Sequence, residues 1–219
     1  VEFDKINLAE AGVDPKVFIN NTTYPVPVVK REDKPIAIEL DLFETENTIV
    51  RRPETIEYSY NQLESVIIGH RNSLRVSTGE KAAHAIAPQN DSLYTPVIRT
   101  TGQDYGDGKR QITTNDILRL KRRFDEAEIP PEMRYLVLNP RHVEQLLKEN
   151  VKLYKEISNY VEGTIFRFAG FNMLEFTRMP KYDVDTGEKV AFGEESAESH
   201  THCSIAFYGP EVMRADGSV

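Results

Sequence analysis

Residues whose types and spacing could do chemistry cluster in three places. The tetrapeptide HTHC at 200–203 holds two imidazoles and a thiol, all groups that can ligate zinc. Strand alternation would put His200 and His202 on one face and Cys203 on the other, and no second ligand pair follows to close a tetrahedral site. A structural strand is the stronger reading. The turn YGDGKR at 105–110 joins glycines to a Lys-Arg pair, as a phosphate cradle would. It lacks the spacing of a Gly-rich loop that ends in Lys-Ser or Lys-Thr and opens a helix, so a plain turn is expected. The third stretch, RLKRRFDEAE at 119–128, is basic enough to grip a phosphate backbone. Arg119, Arg122 and Arg123 can meet Asp125, Glu126 and nearby acids at helical spacing, which describes a solvated, salt-bridged face.

Weaker candidates fall the same way. His70 lies on the apolar stripe of a long helical segment, where a core or interface histidine is the ordinary case. No serine sits in a Gly-x-Ser-x-Gly elbow. Carboxylates are paired in FETE and FGEESAES, but nothing sets two of them apart as acid and base. No catalytic, cofactor-binding or metal-binding residue is assigned. A small α/β enzyme or ligand-binding domain using the turn 105–110 or the cluster 200–203 stays as the alternative function.

The composition narrows the class of protein. A chain of 219 residues with 39% hydrophobic and 28% charged residues can fold around a sizeable core. Its net charge of −8 argues against a general grip on nucleic acid or an anionic membrane. One cysteine, Cys203, excludes an intrachain disulfide framework and suits a reducing compartment. No apolar run approaches the length of a membrane span, and the first residues lack a signal-peptide core. The chain opens on Val1 rather than Met, so it is read as starting inside its gene product.

The elements that would position these groups follow from periodicity. Residues 1–24 read as a short helix plus an arm. Residues 25–57 read as β-rich: Ile36, Ile38, Leu40 and Leu42 alternate on one face of IAIELDL, with PVPVVK before it and NTIVRR after it as strand partners. So short an arm cannot enclose its own core and must lean on something else. From 58 to 87 a helix is expected, with Tyr60, Leu63, Ile67, His70 and Leu74 as one stripe, weakened or bent at Gly79 and stopped by Pro88. A buried stripe would make Leu63→Ala or Ile67→Ala cost about 2–5 kcal/mol. A second helix runs from about Thr114 to Glu128, with Thr113 and Asp116 as a capping signal and Ile117, Leu120 and Phe124 buried. The segment IPPEMRYLVLNPRHVEQLL at 129–147 then reads as strand, cap and helix. Asn139 caps, Pro140 takes the first helical position, and Val143, Leu146, Leu147 and Val151 form the apolar face.

Arm, extended β segment, long helix and α/β region, in that order, resemble the tailed-bacteriophage major capsid protein with its Hong Kong ninety-seven-type shell fold. RYLVLNPRHVEQLL resembles the family's strand–Asn-Pro–helix of the axial domain. GTIFRFAGFNMLEFTRMP at 163–180 is similar to its Gly–strand–Gly–strand–Pro segment, and CSIAFYGPEVMRADG at 203–217 to its closing strand and turn. LFETENTIVRRPETIEYSYNQLESVIIGHRNSL resembles the descent from the extended loop into the spine helix. The likeness covers roughly residues 25–217.

The resemblance implies an α+β fold with an extended β-hairpin loop, a long spine helix in a peripheral domain and an α/β axial domain. Its boundaries would be 1–24 for the N-terminal arm, 25–57 for the extended loop, 58–111 for the peripheral domain and 112–219 for the axial domain, some of whose strands return to the peripheral domain. It implies a structural subunit, not an enzyme, that self-assembles as pentamers and hexamers into an icosahedral virion or prophage-encoded shell around double-stranded DNA. Such a subunit needs no cofactor. Its partners would be copies of itself, a scaffolding protein in some systems, and packaged DNA in weak non-specific proximity, with no membrane. Lys30, Arg31, Asp33, Lys34, Arg51, Arg52 and Glu54, which rim the extended loop, are the candidate inter-subunit contacts. The chain is short for a full subunit and stops at RADGSV where the family usually continues into another strand, so a trimmed piece is expected. The strand reading of HTHC is checked by elemental analysis of untagged protein, which is expected to find no stoichiometric zinc. Zinc that disappears when His200 and His202 are both replaced by Ala would reverse it.

Overall fold

The computed structural model describes residues 5–10, 17–22, 24–26, 28, 30, 32, 34–49, 62–92, 94–104, 109–149, 158–159, 164–165 and 167–214. The chain forms two compact units, Val1–Phe43 with Met213–Val219, and Glu44–Val212.

The smaller unit holds an antiparallel ribbon of β1 (Lys5–Glu10) and β2 (Lys34–Glu39). Its register sets Leu8 opposite Ile36 and Ile6 opposite Ile38, so two period-two apolar patterns coincide. This corrects the expected pairing. The partner of β2 is neither PVPVVK nor NTIVRR but a strand from the stretch read as a short helix plus arm. Pro25 and Pro27 deprive PVPVVK of ladder donors, whereas INLAE has a free donor at every residue. Of NTIVRR, residues 47–49 lie outside any strand and 50–52 are outside the described residues. β2 also stops short of Leu40 and Leu42, and Leu42 is exposed.

In the larger unit, α1 (Gln62–Ile86) is the long helix, followed by α2 (Thr114–Glu126), β3 (Arg134–Leu138) and α3 (Pro140–Glu149). A two-residue pairing, β4 (Ser158–Asn159) with β5 (Thr164–Ile165), precedes β6 (Arg167–Phe168) and β7 (Phe171–Glu175). β8 (Lys181–Asp183) pairs antiparallel with β9 (His200–His202), and β10 (Ile205–Tyr208) runs into a 3-10 turn at Gly209–Glu211. The main sheet has the order β10-β3-β7-β6. β3 is antiparallel to β10 and parallel to β7, with α3 inside the crossover that a parallel pair needs. β6 and β7 are joined by Ala169 and Gly170, both at positive φ, the backbone of a tight hairpin whose twist matches its strands.

β3 is the middle of this packing. Leu136 and Leu138 sink into a core with Ile117, Val143, Leu146, Phe171 and Met173, against which Leu120, Phe124 and Leu147 pack. The apolar faces expected for α2 and α3 are therefore the observed ones within the described residues. Val137, from the opposite face of β3, packs with Ala83, Ile86 and Ala87 at the end of α1, together with Phe176, Met179 and Ile205.

Helix ends are tied by side chains that the sequence pattern marks. Thr113 caps α2 in a full capping box with Asp116. The buried Asp116 carboxylate accepts from the amides and hydroxyls of Thr101 and Thr113. Burial raises its pKa, and those donors more than offset the rise, so the group is held below its ordinary value. Thr101 is placed by Gly102, where a Cβ would lie 2.5 Å from the Gln111 carbonyl oxygen. Asn139 Oδ1 accepts from the Arg141 amide at 3.0 Å, capping α3 as expected.

Two expectations about α1 need correction. The helix runs through Gly79 without interruption. The glycine serves packing, because a Cβ there would meet the Phe176 ring at 3.2 Å. Nor is the stripe uniformly buried: Leu63 is 57% exposed and Ile67 48%, while His70 and Leu74 are half-buried. Periodicity reports which face of a helix is apolar, not whether its own chain covers that face. No described helix is long and apolar enough to cross a membrane.

Arg134 is the largest polar side chain in the interior, 2% exposed. Its Nε donates to the Pro130 carbonyl at 3.0 Å, one terminal nitrogen to Asp125 at 2.8 Å and the other to the Ile129 carbonyl, with the guanidinium over the Phe124 ring. It thereby fixes the Pro-Pro turn between α2 and β3. Arg134→Met keeps the bulk and leaves the carbonyls of Ile129 and Pro130 without donors. It is expected to lower the unfolding free energy by at least about 2 kcal/mol, measured by urea denaturation.

Candidate assembly surfaces

The rim residues proposed as contacts are only partly placed. Lys34 opens β2 opposite Glu10 and is exposed, and Lys30 is exposed in the irregular segment before it. Arg31, Asp33, Arg51, Arg52 and Glu54 lie outside the described residues. The larger unit offers a second surface. The first half of α1 presents Leu63, Ile67 and Ile68, each about half-exposed or more, on a helix whose other end is anchored in the core. Contiguous aliphatic exposure of this kind is what an interface leaves on a free subunit.

The three chemistry-bearing stretches resolve into structure. The base of the 105–110 turn is closed by an Asp104–Arg110 bridge and by reciprocal bonds, Gly102 N–H to Gln111 O and Gln111 N–H to Gln103 O. Its tip, 105–108, is outside the described residues. HTHC begins as the expected strand, with His202 opposite Lys181 and His200 opposite Asp183. The Cys203 thiol donates to the Pro180 carbonyl at 3.1 Å, and burial pushes its pKa up to about 12, so it is far from a thiolate at neutral pH. Burial lowers His202, helped by the cations Arg141, Lys181 and Lys109. Among the described residues no three His, Cys, Asp or Glu side chains converge on a metal position. On α2, Arg119 pairs with Asp116 at 3.4 Å, Arg122 with Glu126 at 3.4 Å, and Lys121 with Asp125, a laced face much as the spacing implies.

One contact has no counterpart in the sequence reasoning. Ser204 Oγ accepts from the Asn139 amide at 3.0 Å and lies 2.7 Å from His142 Nδ1. The Asn139 hydrogen takes one lone pair of Oγ, and Ser204 and the Nδ1 of His142 share a hydrogen bond whose donor is set by the tautomer of His142. Burial, and secondarily His202, lowers its pKa to about 4. A hydroxyl beside an imidazole has the form of a nucleophile and base. So weak a base, buried beside a hydroxyl that also holds a strand-end amide, makes a packing junction instead. The only sequence signal was His142 three residues after Asn139, at the start of α3. Its partner is 62 residues away.

Neither a protein-family model nor a characterised protein matches the sequence. Solved structures do. The chain is similar to the capsid structure of cyanophage P-SCSP1u, with a TM-score of 0.61 and 15% identity, covering 94% of this chain and 68% of that one. More distant matches are to the bacteriophage PhiM1 mature capsid (TM-score 0.44, 11% identity, 86% of this chain and 64% of that one) and to a structure from Mycobacterium phage Che8 (TM-score 0.47, 13% identity, 85% and 65%). By its match to the cyanophage structure the chain has the α+β fold of a phage capsid chain, and it spans about two thirds of the length of the chains it matches.

The His142 junction has a pH signature. Its pKa lies below the unfolded value of about 6.5, so the unfolded chain binds more protons between about 6.5 and about 4. Stability is therefore complete above about pH 6.5, falls as the pH drops toward 4, and changes no further from this group below that. The loss is on the order of 3 kcal/mol. Urea unfolding of wild type and of His142→Gln across this range checks it: the variant is expected to lose most of the slope.

Proposed function

We propose that this chain is a structural subunit of an icosahedral phage capsid or prophage-encoded shell, self-assembling around double-stranded DNA. The observation that carries the reading is the fold match to the cyanophage capsid chain over 94% of the sequence. The bare aliphatic half of α1 and the two-stranded ribbon support it, since both are surfaces that one subunit leaves unfinished. On this reading residues 1–24 are the N-terminal arm, 25–57 the extended loop of Hong Kong ninety-seven-type shells, 58–111 the peripheral domain around α1, and 112–219 the axial domain. Lys30, Arg31, Asp33, Lys34, Arg51, Arg52 and Glu54 set register against a neighbouring subunit, a role suited to rim charges. Partners are copies of the same chain in pentamers and hexamers, and the location is the virion. An acidic wall confines DNA without adhering to it. The enzyme alternative gains nothing from Ser204 and His142, whose imidazole stays neutral down to about pH 4.

The experiment compares particle formation with subunit stability in full-length protein. Negative-stain micrographs of wild type are expected to show closed particles of uniform size. Leu63→Asp with Ile67→Asp, and separately Arg51→Glu with Arg52→Glu, are expected to abolish or sharply reduce particles while changing the subunit's unfolding free energy by no more than about 0.5 kcal/mol. Wild type that remains monomeric across salt and concentration overturns the shell reading.

A further inference from the structure

The larger unit carries a groove of about 590 Å³ whose wall includes four arginines, Arg99, Arg119, Arg122 and Arg123. Asp91 and Glu188 also line it. The Asp91 carboxylate accepts from the Val97 amide at 2.9 Å. Arg119 and Arg122 have partners on α2, but Arg99 and Arg123 meet no carboxylate among the described residues. Arg99 is set into the wall by a built turn. Asp183 Oδ1 accepts from the amides of Asp185 and Thr186, and Gly187, at φ +75°, has its Cβ position 3.0 Å from the Arg99 guanidinium. A side chain at Gly187 would displace that arginine.

The same unit also carries the complementary charge. Residues 191–198 form an exposed loop with Glu194, Glu195 and Glu198, none of which meets a cation among the described residues. The loop is held at both ends. Phe192 packs edge-on to His84 at 5.5 Å beneath Lys81, and the Ala197 amide donates to His200 Nδ1 at 3.1 Å. Its ordering cost on docking is therefore largely met before contact.

We propose that the arginine groove receives the acidic 191–198 loop of a second copy of this chain, an inference that rests on the shell reading. Guanidinium forks match carboxylates bidentately, and the loop's glutamates supply the carboxylates that Arg99 and Arg123 lack among the described residues of their own chain. The groove is ligand-sized. A duplex would instead need many phosphate contacts to bind at physiological salt, more than two unpaired arginines in one groove supply. Because groove and loop are different patches, the contact is head-to-tail, the kind that closes rings when the rotation between copies permits.

Sedimentation velocity of full-length wild type is compared with Arg99→Glu/Arg123→Glu, with Glu194→Arg/Glu195→Arg, and with all four changes together. In parallel, a fluorescent peptide of sequence 190–199 and a short duplex DNA are titrated onto each protein. Each reversal alone is expected to weaken association about tenfold or more, the combined variant to recover most of it, and the peptide to bind wild type but not Arg99→Glu/Arg123→Glu. Association unchanged by either reversal, no recovery in the combined variant, or a groove that binds duplex but not peptide overturns the inference while leaving the shell reading intact. If wild type forms no assemblies the shell reading fails, and the peptide titration still decides the groove: binding lost on arginine reversal supports it, and no binding refutes it.

Discussion

The larger unit depends on one serine hydroxyl. Ser204 receives the Asn139 amide and shares a hydrogen bond with His142, and so joins the end of β3, the first turn of α3 and the entry to β10. β3 is the only strand of the main sheet with a long neighbour on each side, and both of its faces are packed. An amide at the end of such a strand cannot reach water. Without an acceptor it would carry a desolvation penalty comparable to a lost hydrogen bond. The hydroxyl supplies that acceptor and fixes where α3 begins, and α3 then reaches back to α2. Gln145 accepts from the Ile112 amide, and Glu149 from the Thr114 amide, which is otherwise an orphan of the first helical turn.

Against this ordered centre, α1 is divided along its length. Its last turns are fixed by Ala83, Ile86 and Ala87 in the core and by Lys189, whose ammonium donates to the carbonyls of His84 and Ala87. Cations at a helix C-terminus satisfy unpaired carbonyls and complement the dipole. Among the described residues its first turns have no such partners in the core, yet carry Leu63, Ile67 and Ile68.

What could be read from the sequence divides along the same line. Local rules fixed α2, β3 and α3 closely, because Thr113, Asn139 and Pro140 are signals whose partners lie within a few residues. The strand at 200–202 followed from alternation alone. Non-local partners were out of reach. Nothing in IAIELDL says that INLAE, more than twenty residues earlier, supplies its ladder, and nothing in RYLVLN says that its first residue will be the most buried charge in the unit. Burial of the helix stripe is not legible for a related reason: Leu63 and Leu136 look alike as letters, and only the surrounding chain separates them. The rim residues from Lys30 to Glu54 are a reading of sequence alone at five of seven positions.

The place of β10 in the sheet has a consequence for the timing of synthesis. β3 lies between β7 and β10, and Ile205 completes the cluster that anchors α1. On the ribosome, α1 and β3 therefore emerge long before the strand that seats them, and the two-helix layer has a sheet with one open edge until residue 208 is free. Seating of the end of α1 against the sheet thus comes late, once the chain has been made as far as β10.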